Sequence, residues 1–113
     1  MSTPESKIKY FIVTRMKKWF PDAIKYCPPG NRFGRSGMPD FLYFIKADER
    51  TVIVAAIEAK ADDQNLTTLQ ANMLVKFMTQ GAIALVIRGK DEQKMMMLKN
   101  EILRRIRLAN EIL

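Results

Sequence analysis

The chain of 113 residues contains no histidine, and that absence narrows its chemistry first. It excludes Ser-His-Asp catalysis, histidine-based zinc sites and a histidine general base. Cys27 is the one cysteine, so no disulfide can form within the chain, and a thiol there lacks its usual activating base. Low cysteine usage together with no secretory signal in the sequence points to a reducing, intracellular, cytoplasmic setting. No apolar run approaches the length needed to span a bilayer, so no membrane partner is expected. Whatever reaction occurs has to use carboxylates, lysine, hydroxyls or a hard metal ion.

What is present fits one globular domain over residues 1–113, with 48% apolar residues to form a core. The interior of so small a domain is limited, and pairing with a second copy is a natural way to bury more surface. The formal charge of +7 favours a polyanionic partner, with nucleic acid the commonest; the other reading is charge that serves only solubility.

Thr3-Pro4-Glu5 has the form of a helix start, with Thr3 as cap and Pro4 in the first turn. Ile8, Phe11, Ile12, Met16 and Trp19 follow at helical spacing, and Phe20-Pro21 closes the segment. Residues 23–27 are a candidate short strand, stopped by Pro28-Pro29-Gly30. The stretch from Asn31 to Met38 is loop-like. Asp40 to Lys46 and Thr51 to Ala59 are predicted strands joined by a polar turn into an antiparallel hairpin. The second is apolar on both faces, as a central strand would be.

Thr67 to Gln80 is predicted helical, with Leu69, Met73, Leu74, Phe77 and Met78 inward. Thr67 and Gln70 fit a capping box, Leu66 a hydrophobic staple, and Gly81 a terminator. Ala82 to Ile87 is a further strand. Asp91 to Leu113 is a last helix with Met95, Leu98, Ile102, Ile106 and Ala109 on one stripe. The order predicts an α/β domain with a mixed sheet flanked by helices.

The chemistry concentrates at the hairpin. Asp40 opens one strand, and Glu58 and Lys60 lie near the end of the other. Two positions apart, Glu58 and Lys60 point to the same face. Glu58 follows the apolar run Val52 to Ile57, where an unpaired carboxylate would be costly. Lys60 or a metal ion would supply its partner. If the hairpin places Asp40 beside Glu58, the pair offers hard oxygen ligands suited to Mg²⁺ or Mn²⁺, with the Ala59 backbone carbonyl as a further ligand. Lys60 would then lie near an attacking water or the phosphate.

Pro39-Asp40 followed by Glu58-Ala59-Lys60 resembles the PD-(D/E)xK nuclease signature. Gly34-Arg35-Ser36-Gly37-Met38 ahead of it, and Leu66-Thr67 with Gln70 after it, resemble the virus-type replication-repair nuclease (VRR-NUC) domain. The likeness runs from the first helix through the strand at residues 82–87 and leaves the last helix outside. It implies an αβββαβ core, Mg²⁺- or Mn²⁺-dependent phosphodiester hydrolysis and a DNA substrate. Stand-alone forms of this kind, in a phage or bacterial host cell, are expected to be homodimers that act on branched DNA such as four-way junctions or flaps. The resemblance implies catalytic roles for Asp40, Glu58, Lys60 and Gln70, and a metal held by Asp40, Glu58 and the Ala59 carbonyl.

Other candidates carry a competing structural reading. Glu5 shares the inward stripe of the first helix, and the resemblance implies a further metal ligand from that helix; the other reading is a first-turn residue favouring the helix dipole. Arg32, Arg35, Ser36 and Gly37 are candidate DNA contacts, since small residues admit close backbone approach and arginine suits phosphate; a plain loop is the alternative. Asp62 and Asp63 are expected to be solvated. Lys94, Lys99, Arg104, Arg105 and Arg107 form the polar side of the last helix and as a group would suit a DNA backbone. Met95-Met96-Met97 suits core or dimer contact. The rival function is a non-catalytic nucleic-acid-binding module; a third reading is a nuclease acting on linear DNA.

Overall fold

The computed structural model describes residues 3–29 and 37–111. Its elements are α1 (Pro4–Trp19), β1 (Ile24–Tyr26), β2 (Phe41–Lys46), β3 (Val52–Lys60), α2 (Thr68–Thr79), β4 (Ile83–Arg88) and α3 (Glu92–Glu111). The strands form one mixed sheet in the order β1-β2-β3-β4, antiparallel from β1 to β3 and parallel between β3 and β4. The predicted helices and strands all occur, with boundaries displaced by about one residue. The expected end of the last helix, beyond Glu111, lies outside the described residues.

Local chemistry fixes the ends of these elements. Thr3 caps α1 by accepting the Ser6 N–H at 3.0 Å. Arg50 N–H donates to Asp48 Oδ1 at 2.8 Å, which closes the β2–β3 turn. Gly81 ends α2 at φ 97. There the Gly81 and Ala82 N–H groups reach back to the Met78 and Phe77 carbonyls at 2.9 and 3.0 Å, the paired bonds of a Schellman stop. Asp91 starts α3 by accepting the Lys94 N–H at 3.0 Å.

The period-two pleat divides β2 and β3 into two faces. Phe41, Tyr43, Ile45, Ile53, Ala55, Ile57 and Ala59 pack with Ile12 and Met16 of α1 and with Met95, Leu98 and Ile102 of α3. The opposite face carries a smaller cluster, in which Leu42 and Ala56 meet Leu74, with Phe77 alongside. As the inner strand between β2 and β4, β3 is buried from Ala55 to Lys60, which accounts for its continuous apolar sequence.

Two residues expected to face inward on α2 do not. Leu69 and Met78 are 48% and 50% exposed. The helix covers only the small cluster around Leu74, and its first turn lies over the charged end of β3 instead of over apolar side chains. Among the three consecutive methionines of α3, Met95 is buried in the core while Met96 and Met97 are exposed.

Candidate active site

The site forms where β2 begins and β3 ends. The register pairs Phe41 with Ile57, so the next pair along the hairpin brings Asp40 opposite Glu58. Both belong to the even-numbered set that shares the α2 face with Leu42 and Ala56. Two reciprocal bonds tie them together. The Asp40 N–H donates to Glu58 Oε1 at 3.0 Å, and the Ala59 N–H donates to Asp40 Oδ2 at 2.8 Å. Each carboxylate is therefore held by the other residue's strand.

Gln70 joins the site from α2 and is oriented by its own helix start. Its Oε1 accepts the Thr67 N–H at 3.0 Å, and Thr67 Oγ1 accepts the Gln70 N–H at 3.1 Å, which completes a capping box. With Oε1 committed to the cap, the amide Nε2 is turned toward Glu58 and donates to Oε2 at 2.8 Å. The Lys60 ammonium lies 3.9 Å from the same oxygen. Glu58 and Lys60 are the buried charged residues of the described structure.

Burial pushes the Glu58 carboxyl up to about 8, and the nearby Asp40 carboxylate and a side-chain hydrogen bond with Asp40 push in the same direction. Lys60 and the Asp40 backbone N–H oppose the shift without cancelling it. Two carboxylates held this close in a buried place need a proton or another cation between them. The donors are hard oxygens, the chemistry that suits a divalent ion such as Mg²⁺ or Mn²⁺. Among the described residues, no cluster of three or more Asp, Glu or Cys side chains is ready to hold a metal, so further oxygens beyond the Asp40–Glu58 pair would have to complete any coordination shell.

Glu5 is linked to the site through Lys9, whose ammonium lies 3.9 Å from Glu5 Oε1 and 3.3 Å from Asp40 Oδ1. Sequence reasoning missed Lys9. The available signal was its position one helical turn after Glu5, on the same side of α1. Arg32, Arg35 and Ser36 lie outside the described residues. Gly37 is described and has φ 65; a side chain there would come within 2.7 Å of the Leu69 carbonyl oxygen. Its small size thus serves close packing of the pre-β2 segment on the first turn of α2.

Most candidate cations of α3 have protein partners. Arg104 and Arg105 share Glu101, holding its carboxyl down at about 2. Arg105 also donates to the Gly81 carbonyl at 2.7 Å, bracing the end of α2. Arg107 pairs with Glu111 at 3.8 Å, and Lys99 lies over the Trp19 ring. Asp62 and Asp63 are exposed, as expected of loop charges, and Asp62 closely approaches Gly89.

The VRR-NUC domain model matches residues 14–91. A solved structure described as a VRR_NUC domain superposes with a TM-score of 0.64 at 18% identity, covering 86% of this chain and 95% of that one. No curated protein matches the chain. The structural likeness is one of fold, a mixed four-stranded sheet flanked by three helices.

Proposed function

Because this chain belongs to the VRR-NUC domain family, a nuclease-type family, we propose that it is a divalent-metal-dependent deoxyribonuclease that hydrolyses phosphodiester bonds in branched DNA. The observation that carries this reading is the reciprocal 3.0 and 2.8 Å hold between Asp40 and Glu58, with Lys60 and Gln70 alongside. Asp40, Glu58 and the Ala59 carbonyl would hold Mg²⁺ or Mn²⁺, with Glu5 as a further ligand once Lys9 gives way. Such an ion, when bound, polarises the phosphate and acidifies a coordinated water, a role no histidine is present to fill.

The side chains divide the remaining work. Lys60, nearly buried, places its charge beside Glu58, from where it would orient water or stabilise the negative transition state. Gln70 fixes the rotation of the Glu58 carboxylate through Oε2 and leaves the capping box to hold its own amide. Arg32, Arg35, Ser36 and Gly37, just before Asp40 in sequence, would supply phosphate contacts, in keeping with the +7 charge. A homodimer also fits, since α3 exposes Met96, Met97, Leu103 and Leu108. A sedimentation experiment showing monomer alone would remove that part of the proposal.

The test is a cleavage panel of four-way, flap and linear DNA with Mg²⁺, Mn²⁺ or EDTA. Metal-dependent cutting that favours the branched substrates is expected. Equal cutting of linear DNA would remove the branched preference. Salt-sensitive DNA binding by folded protein, with no cleavage of any substrate, would instead establish a binding module.

A further inference from the structure

The Asp40–Glu58 pair has four carboxylate oxygens, and three accept hydrogen bonds from groups fixed in the surrounding frame. Asp40 Oδ2 takes the Ala59 N–H at 2.8 Å, Glu58 Oε1 takes the Asp40 N–H at 3.0 Å, and Glu58 Oε2 takes the Gln70 amide at 2.8 Å. The fourth, Asp40 Oδ1, faces the Lys9 ammonium at 3.3 Å. That ammonium also lies 3.9 Å from Glu5 Oε1. It thus bridges two carboxylates. The two lysines of the site differ in freedom: the Lys9 side chain is 41% exposed and that of Lys60 is 11%. Lys9 borders a cavity of about 240 Å³ together with Asp40, Met38 and Pro28, which leaves space beside its ammonium.

We propose that Lys9 is a displaceable internal cation: it neutralises Asp40 and Glu5 in the metal-free protein and yields their oxygens to the divalent ion. This rests on the metal-dependent reading above. An ammonium and a divalent cation bound at one carboxylate oxygen would lie within a few ångström of each other, where like charges repel strongly. Metal loading therefore works against the Lys9 ion pairs, and the apparent affinity for metal is set partly by the ease of their release. Lys9 acts through Asp40 and Glu5, which makes it a positioning residue.

Mn²⁺ binding, followed by calorimetry and by the electron paramagnetic resonance signal of the free ion, tests this in the wild type, Lys9→Met, Lys9→Gln and Lys9→Arg. Both neutral variants are expected to bind Mn²⁺ more tightly, by about fivefold, the upper size of a partly exposed ion pair. Lys9→Arg keeps the competing charge and stays near wild type. In EDTA the neutral variants unfold at lower denaturant than wild type, and saturating Mn²⁺ closes that gap because the metal takes over the lost charge's role. A wild type that binds Mn²⁺, with neutral variants that bind it equally or more weakly, overturns the displacement proposal and leaves the metal site standing. A wild type that binds no Mn²⁺ overturns both.

Discussion

The two faces of the sheet are built from alternate residues of the same strands, yet they have different physical characters. Odd-numbered positions such as Tyr43, Ile45, Ala55 and Ile57 lie under α1 and α3 in a continuous apolar core. Even-numbered positions begin the same way with Leu42 and Ala56, then turn to Glu58 and Lys60 under the start of α2. One face supplies the burial that holds the strands in register. The other can then carry Glu58 and Lys60 at its end, because the register brings the Asp40 N–H to Glu58, Gln70 of α2 donates to the same carboxyl, and the Lys60 ammonium lies 3.9 Å from it. A one-residue slip of β3 against β2 would transfer Glu58 to the apolar face, so the large core also sets the geometry of the site.

The largest expected contrast lies in activity. Asp40→Asn and Lys60→Ala should cut cleavage of the preferred DNA by about a hundredfold to a thousandfold, as the loss of an electrostatic group at a reacting centre does. Both should retain the fold by circular dichroism, and Lys60→Ala should still bind DNA. Cleavage by Lys60→Ala at the wild-type rate would remove Lys60 from the reaction.

Stability should show the opposite asymmetry. Ile57→Ala removes a fully buried side chain from the larger core and should cost about 3–5 kcal/mol, against about 2 kcal/mol for Leu74→Ala under the smaller cluster. Denaturant unfolding of the two variants measures the difference. Equal losses would mean that both faces hold the sheet equally.

The site also has a pH signature. Because the folded Glu58 carboxyl titrates near 8 while the unfolded one titrates near 4.5, the metal-free folded state binds the extra proton between those values. Its stability contribution is full below the lower value and is lost as pH rises through the upper one. Thermal unfolding in EDTA should therefore show wild type losing stability between about pH 5 and 8 relative to Glu58→Gln. Parallel profiles would show that Glu58 ionises in the fold as readily as in the open chain.

The smallest effect separates the cap from the site. Thr67→Ala should cost about 1 kcal/mol of stability and leave Mn²⁺ affinity nearly unchanged. Gln70→Ala should have a similar stability cost and weaken Mn²⁺ binding by about tenfold, as loss of a group orienting a ligand does. Titration of both variants distinguishes the roles, and equal metal affinities would confine Gln70 to the cap.

Much of this arrangement was legible from local pattern. The apolar run before Glu58 marked β3 as buried, and the two-residue spacing put Glu58 and Lys60 on one face. Thr67 and Gln70 announced the cap, and Gly81 the stop. Lys9 was only half legible. Its spacing of one helical turn after Glu5 marked the local pair, but its contact with Asp40 depends on how α1 docks across the sheet, a long-range outcome. Leu69 and Met78 misled because α2 is apolar beyond the face it buries, having Lys76 as its one charged residue. Which apolar side chains go inward was decided by the small cluster available on that side of the sheet.

On the reading proposed above, Asp40 and Glu58 form one cation site from two neighbouring strands. Unfolding midpoints of the wild type, Asp40→Asn and Glu58→Gln, each recorded in EDTA and in excess Mn²⁺, test it most directly. Wild type should gain stability with the ion and each single variant should lose nearly all of that gain. Full Mn²⁺ stabilisation of either variant would contradict a shared site.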